Sequence, residues 1–194
     1  MIRGIAIMGL NGCGKSTLAH ALSKKLDFYE MDVEDYYFPE QRYSRQAVLE
    51  NQYNVNCEYK GKIPYSMPRS VKEVQEMIRE DIENHPKFII SGVTMNWEDE
   101  ILSAIDVVFI LNVPADERVK RVQHREEIRF GSRVMSGGDM YEQQKEFRKI
   151  IGNRSTERVE ESANRMRQNA DLMRYCWKTV MLLLKYCGCA KISV

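Results

Sequence analysis

At 194 residues, with 43% hydrophobic and 29% charged side chains, the chain has the size and make-up of one compact α/β domain and is long enough to bury a core. Lys and Arg total 29 against 28 Asp and Glu, so overall charge gives no argument for nucleic acid or an anionic membrane as a partner, and neither is expected. The balance conceals an asymmetry, with eight acids to three bases over residues 27–60 and eleven bases to six acids over residues 118–158.

The N-terminus shows no charged region followed by an apolar run and a small-residue cleavage site, and a cytoplasmic location is the expectation. Ile5 to Met8 reads as a strand broken at Gly9, and Leu18, Leu22 and Leu26 then recur at helical spacing. Phe28 to Val33 reads as a second strand, followed by an irregular polar and aromatic stretch from Glu34 to Pro68. Ser70 and Glu73 have the spacing of a capping box, and Val71, Val74, Met77, Ile78 and Ile82 form one helical face up to Pro86. Phe88 to Ser91 and Val107 to Val113 are unbroken apolar runs of strand length, the pattern of strands covered on both faces of a parallel sheet.

Beyond Pro114 the pattern is helical, interrupted by a glycine loop at Gly131 to Gly138. A long helix is expected through Val159, Ala163, Met166, Ala170, Met173, Trp177 and Leu184, ending near Gly188, with Ala190 to Val194 as the last candidate strand. Val180 to Leu184, flanked by Lys178 and Lys185, is far short of the ~20 residues that span a bilayer. The five cysteines (Cys13, Cys57, Cys176, Cys187, Cys189) lack paired spacing, so reduced thiols are expected rather than a disulfide framework or a zinc site. Alternating strand and helix implies βαβ crossovers around a parallel sheet of about five strands.

Gly9-Leu10-Asn11-Gly12-Cys13-Gly14-Lys15-Ser16 fits G-x-x-x-x-G-K-[ST] at every fixed position, between a predicted strand and a predicted helix. Glycines let successive N–H groups turn inward, and the helix N-terminus adds positive potential, so Asn11, Gly12, Cys13, Gly14, Lys15, Ser16 and Thr17 form the expected cradle for ATP phosphates. Lys15 would reach the β and γ phosphates, and the Ser16 hydroxyl would ligate Mg2+. Neither the Asn-Lys-x-Asp nor the Asp-x-x-Gly of a GTPase is present, and the strands ending at Ser91-Gly92 and Asn112 lack a terminal acid. Asp32, Glu34 and Asp35 at the end of the second strand are the remaining acids, with Asp32 assigned to the metal or to catalysis and Asp35 to catalysis and the acceptor. Arg118, Arg121 and Arg125 fall at spacings of three and four on one helix face. Arg121 and Arg125 are the candidates to neutralise charge developing on the γ phosphate.

The motif at 9–16, the acids at 32–35 and the strand Val107 to Val113 followed by Pro114 and Arg118-x-x-Arg121-x-x-x-Arg125 together resemble the nucleoside monophosphate kinase superfamily. Adenylate, shikimate and gluconate kinases belong to that superfamily. Phe130-Gly131-x-Arg133 and Gly137 to Glu142 resemble bacterial proteins of an adenylate-kinase-related, AAA-type group. The resemblance spans about residues 1–160 and implies a P-loop three-layer fold, one kinase domain over 1–194, an acceptor-binding region at 36–72 and a helical lid at 123–155. It also implies ATP and Mg2+ as cofactors, a small-molecule acceptor met by Asp35, Arg42, Arg45, Arg69 and Gly92, and a monomer or homodimer. With Ala190 to Val194 as the last strand, the family's adenine-contacting loop has no counterpart, so adenine against guanine stays open. The acidic and aromatic stretch Asp32 to Phe38 suits a hydroxyl-bearing acceptor and the arginines a phosphorylated one, with a nucleotide or nucleoside preferred. A slowly hydrolysing or merely nucleotide-binding protein is the alternative.

Overall fold

The computed structural model describes residues 2–50 and 65–166, together with the backbone of 171–176. Five strands, β1 (Gly4–Gly9), β2 (Tyr29–Asp32), β3 (Phe88–Gly92), β4 (Val107–Asn112) and β5 (Asp171–Cys176), form one sheet in the order β2-β3-β1-β4-β5. Every neighbouring pair is parallel. All six residues of β1 and all five of β3 are buried, as strands covered on both faces require.

Parallel strands need crossovers, and the helices α1 (Lys15–Leu26), α4 (Val71–Asn84) and α6 (Ala115–Phe130) lie in the connections after β1, β2 and β4. Helix α4 starts where its composition says it should. Ser70 accepts from the Glu73 amide and the Glu73 carboxylate accepts from the Ser70 amide at 2.9 Å, which satisfies two orphan donors reciprocally. The main core is continuous from Ile5 and Ile7 through Met31, Ile78, Ile89 and Leu111 to Val159 and Met166. A smaller cluster of Phe130, Val134 and Met140, with Tyr65 packed against it, lies under the turn after α6.

Two expectations are corrected. The stretch after β2 is not irregular where it is described: α2 (Val33–Tyr37), a 3-10 turn (Pro39–Gln41) and α3 (Arg42–Leu49) occupy it. Nor does one helix run from Val159 onward. Helix α8 (Glu157–Met166) stops, and residues 171–176 form β5, paired along β4 from Val107 opposite Asp171 to Asn112 opposite Cys176. Both β5 and the helix reading use the same apolar residues, and the open edge of β4 decides between them by supplying backbone partners. The sheet therefore reaches five strands before Ala190 to Val194, which lie outside the described residues, as do Trp177, Leu184, residues 51–64 of the expected acceptor region, and Cys57, Cys187 and Cys189. No helix among the described residues is long and apolar enough to cross a membrane.

The sheet order brings the site together. Strand β1 lies between β3 and β4, and α1 leads from it to β2 on the far side of β3, so the crevice at the carboxyl ends of β1 and β3 is a topological switch point.

Candidate active site

The phosphate cradle is built by the backbone. Gly12 and Gly14 take φ of 83° and 88°, a region costly for other residues, and α1 starts immediately after Gly14 with no side-chain cap bond and no acid in its first turn. A Cβ on Gly12 would sit 2.5 Å from the Arg118 carbonyl oxygen, so the loop is also pressed against the start of α6. Cys13 is buried, Asn11 and Thr17 are half-buried, and the Lys15 ammonium donates to the Leu10 carbonyl at 3.1 Å across the mouth of the loop. Burial lowers the Lys15 pKa, with Cys13, Asp32 and Glu34 opposing and Arg125 pushing further down.

Asp32 closes the other side. Its Oδ2 accepts from Ser16 Oγ at 2.6 Å and from Ser91 Oγ at 2.9 Å, while Oδ1 accepts from the Glu34 amide at 3.0 Å and so caps α2. Burial pushes this carboxyl up, but Arg45, the two hydroxyls and the amide outweigh it and hold Asp32 below the usual carboxylate range. An ionised carboxylate beside a hydroxyl is the hard-oxygen pair that fits Mg2+ held mainly by phosphate oxygens and water. No group of three or more metal-ligating side chains occurs among the described residues, so the protein's share of such a site would be small.

Arg45 organises the acids. Its guanidinium is bidentate to Asp35, with Nε donating to Oδ1 at 2.9 Å, and Nη1 lies 3.4 Å from Asp32 and 3.6 Å from Glu30. Burial opposes its charge, but Asp32, Asp35 and Glu30 together keep Arg45 firmly protonated. Burial pushes the Asp35 carboxyl up, against the pull of Arg45. Environment thus sets Asp32 and Asp35 apart, one held low and one pushed high. Of the other acceptor candidates, Arg42 is largely exposed with Nε 4.0 Å from Asp35, and Arg69 Nη1 donates to the Tyr36 carbonyl at 3.1 Å. Gly92 is required by packing, since a Cβ there would meet Val33 Cγ2 at 2.9 Å.

The three arginines of α6 expected on one face separate by environment. Arg118 turns inward, donating to the Val113 carbonyl and to the Ile151 carbonyl, each at 3.1 Å, and ties α6 to α7 (Tyr141–Asn153) rather than sharing an open face. Arg121 pairs with Glu117 one turn back. Arg125 donates to Glu126, and burial, which opposes its charge, is outweighed by Glu126 and Glu34.

Sequence reasoning missed three contributors. Ser91 reads in the sequence as the end of a strand and the start of a reduced acceptor signature, Ser91-Gly92-Val93, with no sign of its bond to Asp32; Glu126 stands out by nothing, and Arg154, which donates to Asn11 Oδ1 at 2.8 Å at the cradle, carries no motif signal. Their partners are 59, 1 and 143 residues away, and only the adjacent Arg125–Glu126 pair was visible in principle.

A phosphate loop entering α1, a hydroxyl–carboxylate pair at the switch point and an arginine-bearing helix after β4 define a P-loop NTPase fold of the small-molecule-kinase type. Residues 5–144 match the family described as an AAA domain, and the chain belongs to that family. YqaC, an uncharacterized protein of Bacillus subtilis strain 168, is 32% identical over 147 residues, covering 76% of this chain and 70% of the relative. Among solved structures, shikimate kinase from Bacteroides thetaiotaomicron aligns with a TM-score of 0.51 at 18% identity, over 97% of this chain and 99% of that one. A sugar kinase from a Janibacter species gives 0.48 at 13% identity, over 98% and 96%. The shikimate kinase likeness speaks for the fold alone.

Proposed function

We propose that the protein is an ATP-dependent phosphotransferase that moves the γ-phosphoryl group to a hydroxyl of a small-molecule acceptor of the nucleoside or nucleotide class. The observation that carries this reading is the arrangement beside a complete phosphate loop, where Ser16 Oγ donates to Asp32 at 2.6 Å and Arg45 holds Asp35 next to that pair, 2.9 Å from Asp35 and 3.4 Å from Asp32. When bound, Mg2+ would supply positive charge that offsets the charge developing on the phosphates. Ser16 and Asp32 would hold it, Lys15 would hold the β and γ phosphates, and Arg121 and Arg125 would meet charge on the transferred group. Asp35 is the carboxylate better suited to take the acceptor hydroxyl proton as that oxygen bonds to phosphorus and ADP leaves. The acceptor must then compete with Arg45 for its oxygens. Arg45 and Arg69 are engaged by protein groups, which favours an acceptor recognised through its hydroxyls over one recognised through several phosphates. The phosphate loop alone would equally serve a slow hydrolase.

Purified protein with Mg-ATP, assayed for ADP release across a panel of nucleosides, nucleotides and polyols, tests the proposal. Acceptor-stimulated ADP release at least about tenfold over the no-acceptor rate is expected, with Arg125→Lys impaired because the planar fork is lost. Release that no acceptor stimulates, with ATP still bound, would favour the hydrolase.

A further inference from the structure

A buried carboxylate joins the lid arginine to the helix that opens the acceptor segment. Glu126 on α6 is 1% exposed, and its Oε1 accepts from Arg125 Nε at 2.7 Å and lies 2.5 Å from Arg125 Nη2. The same oxygen is 3.5 Å from Arg129 Nη1. Arg129, 4% exposed, reaches across to the turn and helix that follow α2, donating to Gln41 Oε1 at 3.0 Å and to Ser44 Oγ at 3.0 and 3.2 Å, and to the Tyr65 hydroxyl. Glu126 Oε2 has no hydrogen-bond partner among the described residues.

Taking a carboxylate and the Arg129 guanidinium out of water is costly, and apolar residues would hold α6 against α3 without that cost. The arrangement is also lopsided. The Arg129 side chain is 1% exposed and the Arg125 side chain 29%, so one guanidinium is sealed between helices while the other is partly open to solvent. Neighbours on a helix point about 100° apart, so Arg125 must fold back to reach Glu126, which confines a side chain that would otherwise sample many rotamers.

We propose that Glu126 is a positioning residue: it aims the Arg125 guanidinium at the terminal phosphate of the nucleotide and links that aim, through Arg129, to the seating of the acceptor helix. The assignment rests on the reading of Arg125 as a γ-phosphate contact. It makes docking of the lid and placement of α3 one event, because both arginines lean on one carboxylate oxygen.

Glu126→Gln keeps size and an acceptor oxygen but removes the charge. Calorimetry with Mg-ATP and Mg-ADP on wild type, Glu126→Gln, Arg125→Ala and the double variant reads the aim directly, since only ATP carries the third phosphate. The expected result is that Glu126→Gln lowers the ATP-to-ADP affinity ratio about tenfold with ADP affinity within about twofold of wild type. Adding Glu126→Gln to Arg125→Ala should then change the ratio by less than about twofold, because the charge has nothing left to aim. A purely structural Glu126 would lower both affinities together or leave the ratio untouched, and its effect would add in full to that of Arg125→Ala; any of these overturns the assignment, as does a wild-type ratio in Arg125→Ala itself. If Glu126→Gln does not fold, the paired Glu126→Leu, Arg129→Met replacement removes the carboxylate with the guanidinium it neutralises, and a lowered ratio is again required. A lowered ratio in a protein that phosphorylates no acceptor refutes the transferase reading and leaves this one standing. Acceptor phosphorylation with an unmoved ratio does the reverse.

Discussion

Replacing Asp32 by Asn tests the centre of the site, because the change preserves shape and removes a charge that four groups address. Ser16, Ser91 and the Glu34 amide donate to it at 2.6, 2.9 and 3.0 Å, and Arg45 lies at 3.4 Å. Hydrogen bonds to a charged acceptor contribute about 1.5–3 kcal/mol against ~1 for a neutral one, and orphaning a buried charge costs about 3–5 kcal/mol. Arg45 retains Asp35 and Glu30, so the ion-pair loss is partial, and a net destabilisation of about 2–3 kcal/mol is expected. For a chain of this length that lowers the melting midpoint by about 4–12 °C.

The sign with pH follows from the direction of the shift. The folded-state pKa lies below the ordinary 3.8, so the contribution of the charge is fully present above that value and is lost as pH falls through the folded one. Urea unfolding of both proteins should therefore show a gap at pH 7 that closes in strong acid. With Mg-ATP at about a hundred times its Kd, wild type should gain about 2.7 kcal/mol, and the Asn variant should lose the Mg2+-dependent part of that gain. A gap below about 0.5 kcal/mol at pH 7, unchanged in acid, would refute the electrostatic account, and an intact Mg2+ effect would remove Asp32 from the metal.

Three further outcomes follow from the same geometry. Lys15→Met should abolish the thermal shift with Mg-ATP while leaving the nucleotide-free melting point unchanged or higher, since burial disfavours the ammonium and the Leu10 carbonyl keeps its bond from the Cys13 amide at 3.2 Å. Arg118→Ala should cost about 3–5 kcal/mol in urea unfolding, because the carbonyls of Val113 and Ile151 both lose a charged donor in the interior. Gly12→Ala should cost at least about 2 kcal/mol and weaken ATP binding in calorimetry, since φ of 83° and the Arg118 carbonyl both resist a methyl group; a folded variant with normal ATP affinity would refute the close approach.

Chemistry carried by adjacent residues was legible in the linear order. The phosphate loop needs eight consecutive positions with a strand before and a helix after, and Gly9 to Ser16 meets that need without help from the rest of the chain. The Ser70 cap was readable for the same reason, being a bond between positions three apart. Asp32 could be singled out as an acid at the end of a strand, but its partners could not, because Ser91 is brought beside it only by the pairing of β2 with β3. Likewise the roles of Arg45 and Arg129 depended on where α3 comes to rest: the first faces Asp32 and Asp35, and the second crosses to Gln41 and Ser44, 88 and 85 residues earlier. The last strand shows the limit most plainly. Apolar spacing from Val159 onward fits a helix as well as a strand, and what turned Asp171 to Cys176 into β5 was the unpaired edge of β4, a partner that exists only once the sheet is assembled.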